Sequence, residues 1–212
     1  VATSKGYSTQ LAALDLIGLY LADLLGTVSQ SEYAEILTEL QALPEKMQLY
    51  LEHYEETQYY ASLYFNHDSI FFIGRNLDFA MGLEGSLKLK EISYIHSEAY
   101  ASGELKHGTI SLIEPGTLVV ALGTHGPLFD KAMSNVVEVK ARGATVLAVT
   151  TESFREKMEK TADAVIAIPE THRFLQPSLG IVPLQLFAYY VALQRGCDID
   201  KPRNLAKSVT VE

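Results

Sequence analysis

Hydrophobic positions at the start of the chain follow a helical period. From residue 9 to residue 25, leucine and alanine recur at the spacing of one helix face, and Gly26 supplies a stop signal. The same spacing predicts a second helix over residues 31–43. Pro44 is then expected to open a third, tyrosine-rich helix that ends near residue 65. The pattern therefore predicts an all-helical beginning.

From residue 69 onward, short and uninterrupted apolar runs alternate with longer helical segments. The runs SIFFIG, TLVVALG, TVLAVT and AVIAIP predict buried strands over residues 69–74, 117–123, 145–150 and 164–169. Helices are predicted over residues 79–95, 128–141 and 180–194. Strands that are apolar on both faces and separated by helices indicate a parallel sheet covered on both sides. The expected fold is an α/β three-layer αβα sandwich, preceded by helices and followed by an irregular C-terminal tail.

In such sheets ligands bind outside the carboxyl ends of the strands, where two glycine-containing turns are predicted. These turns are GRNLD at residues 74–78 and GTHGP at residues 123–127, and neither matches a dinucleotide fingerprint or a P-loop. Arg75 and Asn76 could contact a ligand or a partner chain, and the sequence leaves both possibilities open. The histidines show no metal-ligand spacing, so neither a metal nor another cofactor is expected.

The charge balance and the single cysteine restrict the class of protein. With 26 acidic and 17 basic residues the formal net charge is -9, which argues against nucleic acid as a partner. Cys197 has no disulfide partner, which is consistent with a cytoplasmic location. Asp15 and Asp23 interrupt the apolar N-terminal run, so no membrane span is predicted, and no signal peptide is recognised. Because the first residue is not methionine, we expect the chain to be part of a longer protein.

Residues 85–108 contain three lysines, three glutamates and two histidines. On a helix Glu84, Lys88 and Glu91 fall close to one line, and such pairs are most often solvated and worth about 0.2–0.5 kcal/mol. The alternative is a set for proton transfer next to a carbonyl, which needs a carboxylate base, a group that titrates near neutral pH and a cation. Spacing does not decide between these interpretations. If the pairs are solvated, the charged residues that follow are ordinary loop charges, namely Glu98, Glu104 and Lys106. The two histidines, His96 and His107, are then structural.

Two blocks of sequence favour the second interpretation by resemblance. LEGSLKLKEISYIHSEAYASGELKHG and KPRNLAKSVTVE resemble the isomerase part of the glutamine–fructose-6-phosphate aminotransferase family, which consists of two sugar-isomerase (SIS) domains. The resemblance implies that residues 1–43 are the helical end of a preceding SIS domain and a linker. It makes residues 44–197 a second SIS domain and residues 198–212 an active-site tail. The implied reaction converts fructose 6-phosphate and glutamine-derived ammonia to glucosamine 6-phosphate.

The resemblance also implies roles for individual residues. Glu91 matches the base that moves a proton between C1 and C2 of the sugar, and Lys88 matches an assisting lysine. His107 matches a histidine that opens the sugar ring and is donated across a homodimer. Lys207 matches a tail lysine that meets the open-chain carbonyl and can form a Schiff base. Three further positions match residues that line the sugar: Val1, Thr3 and Ala206.

The chain also departs from the family pattern. It has no counterpart of the glutaminase domain, which is expected as a partner in the full-length enzyme, and it lacks most of the first SIS domain with its phosphate-binding loop. Weak or no activity is therefore expected from the chain alone. A non-catalytic SIS-type module for sugar-phosphate binding or dimerisation is the alternative, and a pure isomerase or deaminating relative is a third. The joint presence of Lys88, Glu91, His107 and Lys207 favours the enzyme, because a sensor needs no proton shuttle.

Overall fold

Helices and strands alternate along the computed structural model of the chain, which describes residues 2–205. The helices are α1 (Ser4–Leu24), α2 (Gln30–Leu51), α3 (Glu55–Tyr64), α4 (Leu77–Ser93), α5 (Phe129–Lys140), α6 (Arg155–Glu159) and α7 (Gln176–Gln194). The strands are β1 (Ser69–Gly74), β2 (His96–Ala101), β3 (Leu118–Gly123), β4 (Thr145–Thr151) and β5 (Ala164–Ile168). A 3₁₀ segment, Ser102–His107, follows β2 directly. Among the described residues, no helix is long and apolar enough to cross a membrane.

The strands form one sheet in the order β2-β1-β3-β4-β5, and every pair is parallel. Ile70 of β1 lies between Ser97 of β2 and Leu118 of β3. The chain leaves β1 for β2 on one side and then returns to place β3 on the other side. The carboxyl ends of β1 and β3 therefore form the switch point at which ligands bind in many open α/β sheets.

Successive strand residues point into two different apolar layers. Ile70 and Phe72 pack in the layer that also contains residues of α4 and α7. Phe71 and Ile73 pack in the opposite layer, with residues of α5 and α6. Both faces of the sheet are thus buried, as uninterrupted apolar strands require. The three-layer αβα sandwich predicted from the sequence is confirmed.

Helices α4 and α7 approach each other closely through glycine. A Cβ atom at Gly85 would lie 2.6 Å from Leu184 Cδ1, and one at Gly180 would lie 2.5 Å from Met81 Sδ. Neither distance is available to a real side chain, so the absence of Cβ atoms permits this approach. This close contact holds α4, which carries Lys88 and Glu91, against α7.

The predicted start of a helix at Pro44 is wrong, because Pro44 lies inside α2. Proline removes one helical hydrogen bond and usually breaks or kinks a helix. Here Ile36, Leu43 and Tyr50 are all buried at a spacing of seven residues, and this packing lies on both sides of Pro44. Burial of that face outweighs the cost of the proline. Helix α3 is a separate element that begins at Glu55.

Strand β2 was also missed, since residues 96–101 were expected to form a loop. It is an edge strand whose residues pair with β1 in parallel. His96 is exposed and Ser97 is buried, so the strand carries polar side chains where a buried strand would be apolar. Edge strands often carry charged residues, which weakens the apolar signal on which the sequence prediction relied. The short helix α6 was not predicted either.

Candidate functional site

A groove between α1 and α4 brings together three of the residues predicted from the sequence. Its volume is about 350 Å³. Thr3 lies at the start of α1, while Lys88 and Glu91 come from the second half of α4. The complete lining is Thr3, Gly6, Tyr7, Gln10, Glu84, Leu87, Lys88 and Glu91.

Lys88 is buried between two carboxylates. The residue is 6% exposed, and its Nζ lies 2.6 Å from Glu91 Oε2 and 3.5 Å from Glu84 Oε1. The side chain of Glu91 is 20% exposed and borders the groove. A solvated surface pair would leave the lysine in water, which this packing does not do. The arrangement holds a cation against a carboxylate that a ligand in the groove can reach.

Burial changes the protonation chemistry of two further groups in the groove. Burial raises the pKa of the Glu84 carboxyl, and the positive charge of Lys88 opposes this rise. Burial and the negative charge of Glu84 together raise the pKa of Tyr7 to about 12. Tyr7 therefore stays a neutral hydroxyl at physiological pH. The groove thus contains carboxylates, an ammonium group and a phenol, which are groups suited to proton transfer beside a carbonyl.

His107 does not lie in this groove. It ends the 3₁₀ segment that follows the carboxyl end of β2, whereas Glu91 lies near the end of α4 that leads back to the amino end of β2. Its side chain is 75% exposed, and its Nε2 is 3.7 Å from Glu104 Oε2. A single copy of the chain therefore separates His107 from Glu91.

Three predicted site residues, Val1, Ala206 and Lys207, lie outside the described residues. The last described part of the chain contacts the end of α4. The backbone N–H of Arg203 donates to Tyr94 Oη at 2.8 Å, and the Arg203 guanidinium carbon lies 4.0 Å from the centre of the Tyr94 ring. Tyr94 follows α4 directly and adopts a left-handed conformation with φ of 62°. The tail thus approaches α4 one turn beyond Glu91.

The crevice at the switch point is occupied by a side chain of the protein itself. Asp78 is 2% exposed, and its carboxylate accepts hydrogen bonds from the Thr124 N–H at 3.1 Å, the Thr124 hydroxyl and the His125 N–H at 3.3 Å. Burial raises the pKa of Asp78, and these hydrogen bonds oppose the rise. The two turns expected to receive a ligand therefore bond to each other.

A second cavity, of about 520 Å³, lies near the amino ends of β1 and β2 and is lined by residues that include His67, His96 and Glu98. It contains none of the residues predicted to act on a substrate. Within residues 2–205, no cluster of three or more His, Cys, Asp or Glu residues could hold a metal ion.

Sequence reasoning assigned no role to Glu84 or Tyr7, although both line the groove. The helical spacing placed Glu84 in line with Lys88, so that signal was present in the sequence. The sequence contains no comparable signal that places Tyr7 near Lys88. Its place beside Glu84 depends on where α1 lies relative to α4, and these helices are far apart in the chain.

The chain matches the family model of the SIS domain over residues 63–195. Over all 212 residues it is 55% identical to a protein named glutamine–fructose-6-phosphate aminotransferase [isomerizing] from Caldanaerobacter subterraneus subsp. tengcongensis. It is 46% identical, over the same length, to a protein of that name from Thermococcus kodakarensis. The chain spans 35% of the length of each of these relatives.

Two solved structures are also similar to this chain. The C-terminal domain of glucosamine-fructose-6-phosphate aminotransferase from Francisella tularensis is 35% identical and superposes with a TM-score of 0.90, covering 95% of this chain and 57% of that one. Glucosamine-6-phosphate deaminase from Thermotoga maritima is 28% identical with a TM-score of 0.63, covering 93% of this chain and 56% of that one. These comparisons confirm the resemblance inferred from the sequence blocks, and the chain belongs to the SIS domain family.

Proposed function

We propose that this chain is the isomerase part of an enzyme that makes glucosamine 6-phosphate from fructose 6-phosphate and ammonia. The observation that carries the proposal is the burial of Lys88 between Glu84 and Glu91 in an open groove beside Thr3. The names of the relatives support the same reaction. The chain spans 35% of the length of these relatives, and the proposal takes the ammonia from a glutaminase domain of the full-length enzyme.

Glu91 is the proposed proton carrier. Ammonia adds to the C2 carbonyl of the open-chain sugar and water leaves, which gives an imine. Glu91 then takes a proton from C1 while the imine nitrogen gains one, which gives an enaminol. A proton is returned at C2 and the C1 hydroxyl loses its proton, which gives the amino-aldose. Lys88, 2.6 Å from Glu91 Oε2, places a cation beside this carboxylate and offsets the negative charge that develops on the substrate.

His107 is the proposed acid that protonates the ring oxygen when the sugar ring opens. Since one copy of the chain keeps His107 away from the groove, the proposal requires His107 to be supplied by a second copy in a homodimer. The exposure of His107 agrees with this, because a residue that acts on a partner's substrate must be accessible.

Lys207 is the proposed residue that meets the open-chain carbonyl. It follows Arg203 by four residues, and four extended residues span at most about 14 Å. A tail held at Tyr94 by Arg203 can therefore bring Lys207 to the groove that contains Glu91. Val1, Thr3 and Ala206 are proposed to line the sugar.

The same proposal divides the chain and locates it. Residues 1–43 would be the end of a preceding SIS domain and a linker, residues 44–197 the second SIS domain, and residues 198–212 the active-site tail. A cytoplasmic location is part of the proposal and agrees with the single cysteine, Cys197.

The test joins this chain to the upstream part of the Caldanaerobacter subterraneus relative and measures glucosamine 6-phosphate formed from fructose 6-phosphate and ammonia. Glu91→Gln should lower turnover by at least about 10²-fold, because a general base is lost. Glu35→Gln, on the exposed side of α2, is the matched control and should leave turnover unchanged. Equal turnover in both variants would remove Glu91 from the reaction. A chimaera that binds the sugar phosphate without product would support the binding module instead.

A further inference from the structure

Arg75, in the turn after β1, was left without a role by the sequence. Its Nε–H donates to Asn135 Oδ1 at 2.9 Å, and Asn135 is 5% exposed on α5. The amide nitrogen of Asn135 donates to Glu138 Oε2 at 3.4 Å. Because a carboxylate can only accept, this second bond fixes the amide with its oxygen toward Arg75. The bond to Asn135 thus holds the guanidinium group in one orientation.

The guanidinium supports the 3₁₀ segment Ser102–His107. A Cβ atom at Gly103 would lie 3.4 Å from Arg75 Nη1 and 3.8 Å from Nη2, so the guanidinium group lies beside Gly103. A second support is Glu138, whose Oε1 lies 3.7 Å from Lys106 Nζ. Asn135 joins the two supports, since it bonds to both Arg75 and Glu138.

The segment needs external contacts to keep its shape. A 3₁₀ helix has poor hydrogen-bond geometry and is uncommon beyond three or four residues, whereas this segment has six. Leu105 is buried in the core and fixes the middle of the segment. His107, at the end of the segment, is exposed, so its position depends on how firmly the preceding residues are held.

We propose that Arg75 is a positioning residue for His107, a role that rests on the proposed function of His107 in opening the sugar ring. Arg75 does not contact the groove and touches no reacting atom. It acts by holding the backbone of the 3₁₀ segment in place, and this fixes the position of His107 at the end of that segment. Lysine cannot replace it, because one nitrogen must bond to Asn135 while others lie beside Gly103, and a single ammonium group cannot do both.

The contact is tested first on the chain itself, by hydrogen–deuterium exchange of the peptide that covers residues 102–107. Arg75→Ala should speed exchange in this peptide at least about tenfold, since the segment opens more often. Arg142→Ala is the matched control, because Arg142 lies 3.9 Å from Glu138, whereas the three atoms nearest a Cβ at Gly103 all belong to Arg75. Arg75→Lys should behave like Arg75→Ala. Equal exchange in the Arg75 and Arg142 variants would overturn the proposal.

The catalytic consequence is tested in the chimaera with two ketose phosphates. 5-Deoxyfructose 6-phosphate has no hydroxyl with which to close a furanose ring, so it needs no ring opening. Arg75→Ala should lower turnover of fructose 6-phosphate at least about tenfold and leave turnover of the deoxy sugar nearly unchanged. Glu91→Gln should lower both, because the proton transfer that follows is common to both sugars.

The two proposals fail in different ways. If the unaltered chimaera forms no product from either ketose, the proposed function is wrong. If the unaltered chimaera is active and Arg75→Ala lowers turnover of both ketoses equally, Arg75 is only structural and the inference is overturned.

Discussion

Asp78 joins the turn after β1 to the turn after β3 by accepting hydrogen bonds from both the N–H and the hydroxyl of Thr124. These two residues are 46 positions apart, and the bond lies at the point where the strand order reverses. In many α/β folds an anion bound at this point receives such donors. Here the protein supplies its own carboxylate, so the candidate substrate groove lies elsewhere, between α1 and α4.

Replacing Asp78 by asparagine should destabilise the fold. Asparagine can keep its oxygen toward the Thr124 and His125 N–H groups, but its NH2 group then faces the Thr124 hydroxyl, so this buried donor loses its acceptor at a cost of about 1–3 kcal/mol. The urea midpoint of Asp78→Asn measures this loss. Asp68→Asn is the control, because Asp68 is exposed and should shift the midpoint little. Equal midpoints for the two variants would mean that the Asp78 carboxylate does not hold the turns together.

Lys88→Met should destabilise the chain more at pH 7 than at pH 5. Without the ammonium group, Glu84 and Glu91 would repel each other in a partly buried groove, at a cost of about 1–3 kcal/mol. The pKa of Glu84 is already raised by burial, and the loss of Lys88 raises it further. A carboxyl whose folded-state pKa is raised destabilises the fold as the pH rises through that pKa, so the deficit shrinks on acidification.

Urea unfolding at the two pH values measures this difference. Lys90→Met is the matched control, since Lys90 lies on the exposed side of the same helix. The same deficit for both lysines, or a deficit of Lys88→Met that does not change with pH, would contradict the buried arrangement.

Gly85→Ala and Gly18→Ala should change stability in opposite directions. The new methyl group at Gly85 would lie 2.6 Å from Leu184 Cδ1 and 3.2 Å from Phe72 Cε1, so α4 and α7 would separate at a cost of about 1–3 kcal/mol. At Gly18, on exposed α1, nothing lies within 4 Å, and alanine should add about 0.5–1 kcal/mol through its helix propensity. The melting temperatures of the two variants measure these changes in stability. A higher melting temperature for Gly85→Ala would refute the close packing.

The strands that the sequence predicted are those buried on both faces. β1, β3, β4 and β5 are apolar at nearly every position, because each face packs against helices, and this leaves a signal that needs no tertiary information. β2 is different, because most of its residues are only partly buried and several are polar, so they resemble those of a loop, whereas the other edge strand, β5, is buried throughout. Helix α2 continues through Pro44 because residues on both sides of the proline are buried. The local sequence does not show which residues will pack in this way.

The candidate site was predictable in part for a similar reason. Helical periodicity aligns Glu84, Lys88 and Glu91, but it does not reveal that Lys88 is buried or that residues of α1 line the same groove. The contact between Asp78 and Thr124 and the support of Gly103 by Arg75 also join residues far apart in the chain. Local spacing contains no information on such pairs.

Tyr94→Phe should loosen the start of the C-terminal tail. The variant keeps the aromatic ring under the Arg203 guanidinium and removes the oxygen that accepts the Arg203 N–H at 2.8 Å. A hydrogen bond of about 0.5–1.5 kcal/mol corresponds to a roughly 2–10-fold change in the open fraction of the tail. Limited trypsin digestion followed by mass spectrometry measures this as the rate of cleavage after Arg203, which should rise by the same factor. Tyr94→Leu should raise it further, since the ring contact is lost as well.

Tyr189→Phe is the control, because Tyr189 is a partly exposed tyrosine on α7 whose ring packs edge-on against Tyr190. In the chimaera, Tyr94→Phe should also lower turnover, because the proposed role of Lys207 requires the tail to stay at α4. If cleavage after Arg203 is no faster in Tyr94→Phe than in Tyr189→Phe, the hydrogen bond does not hold the tail. The proposed approach of Lys207 to the groove would then lose its structural support.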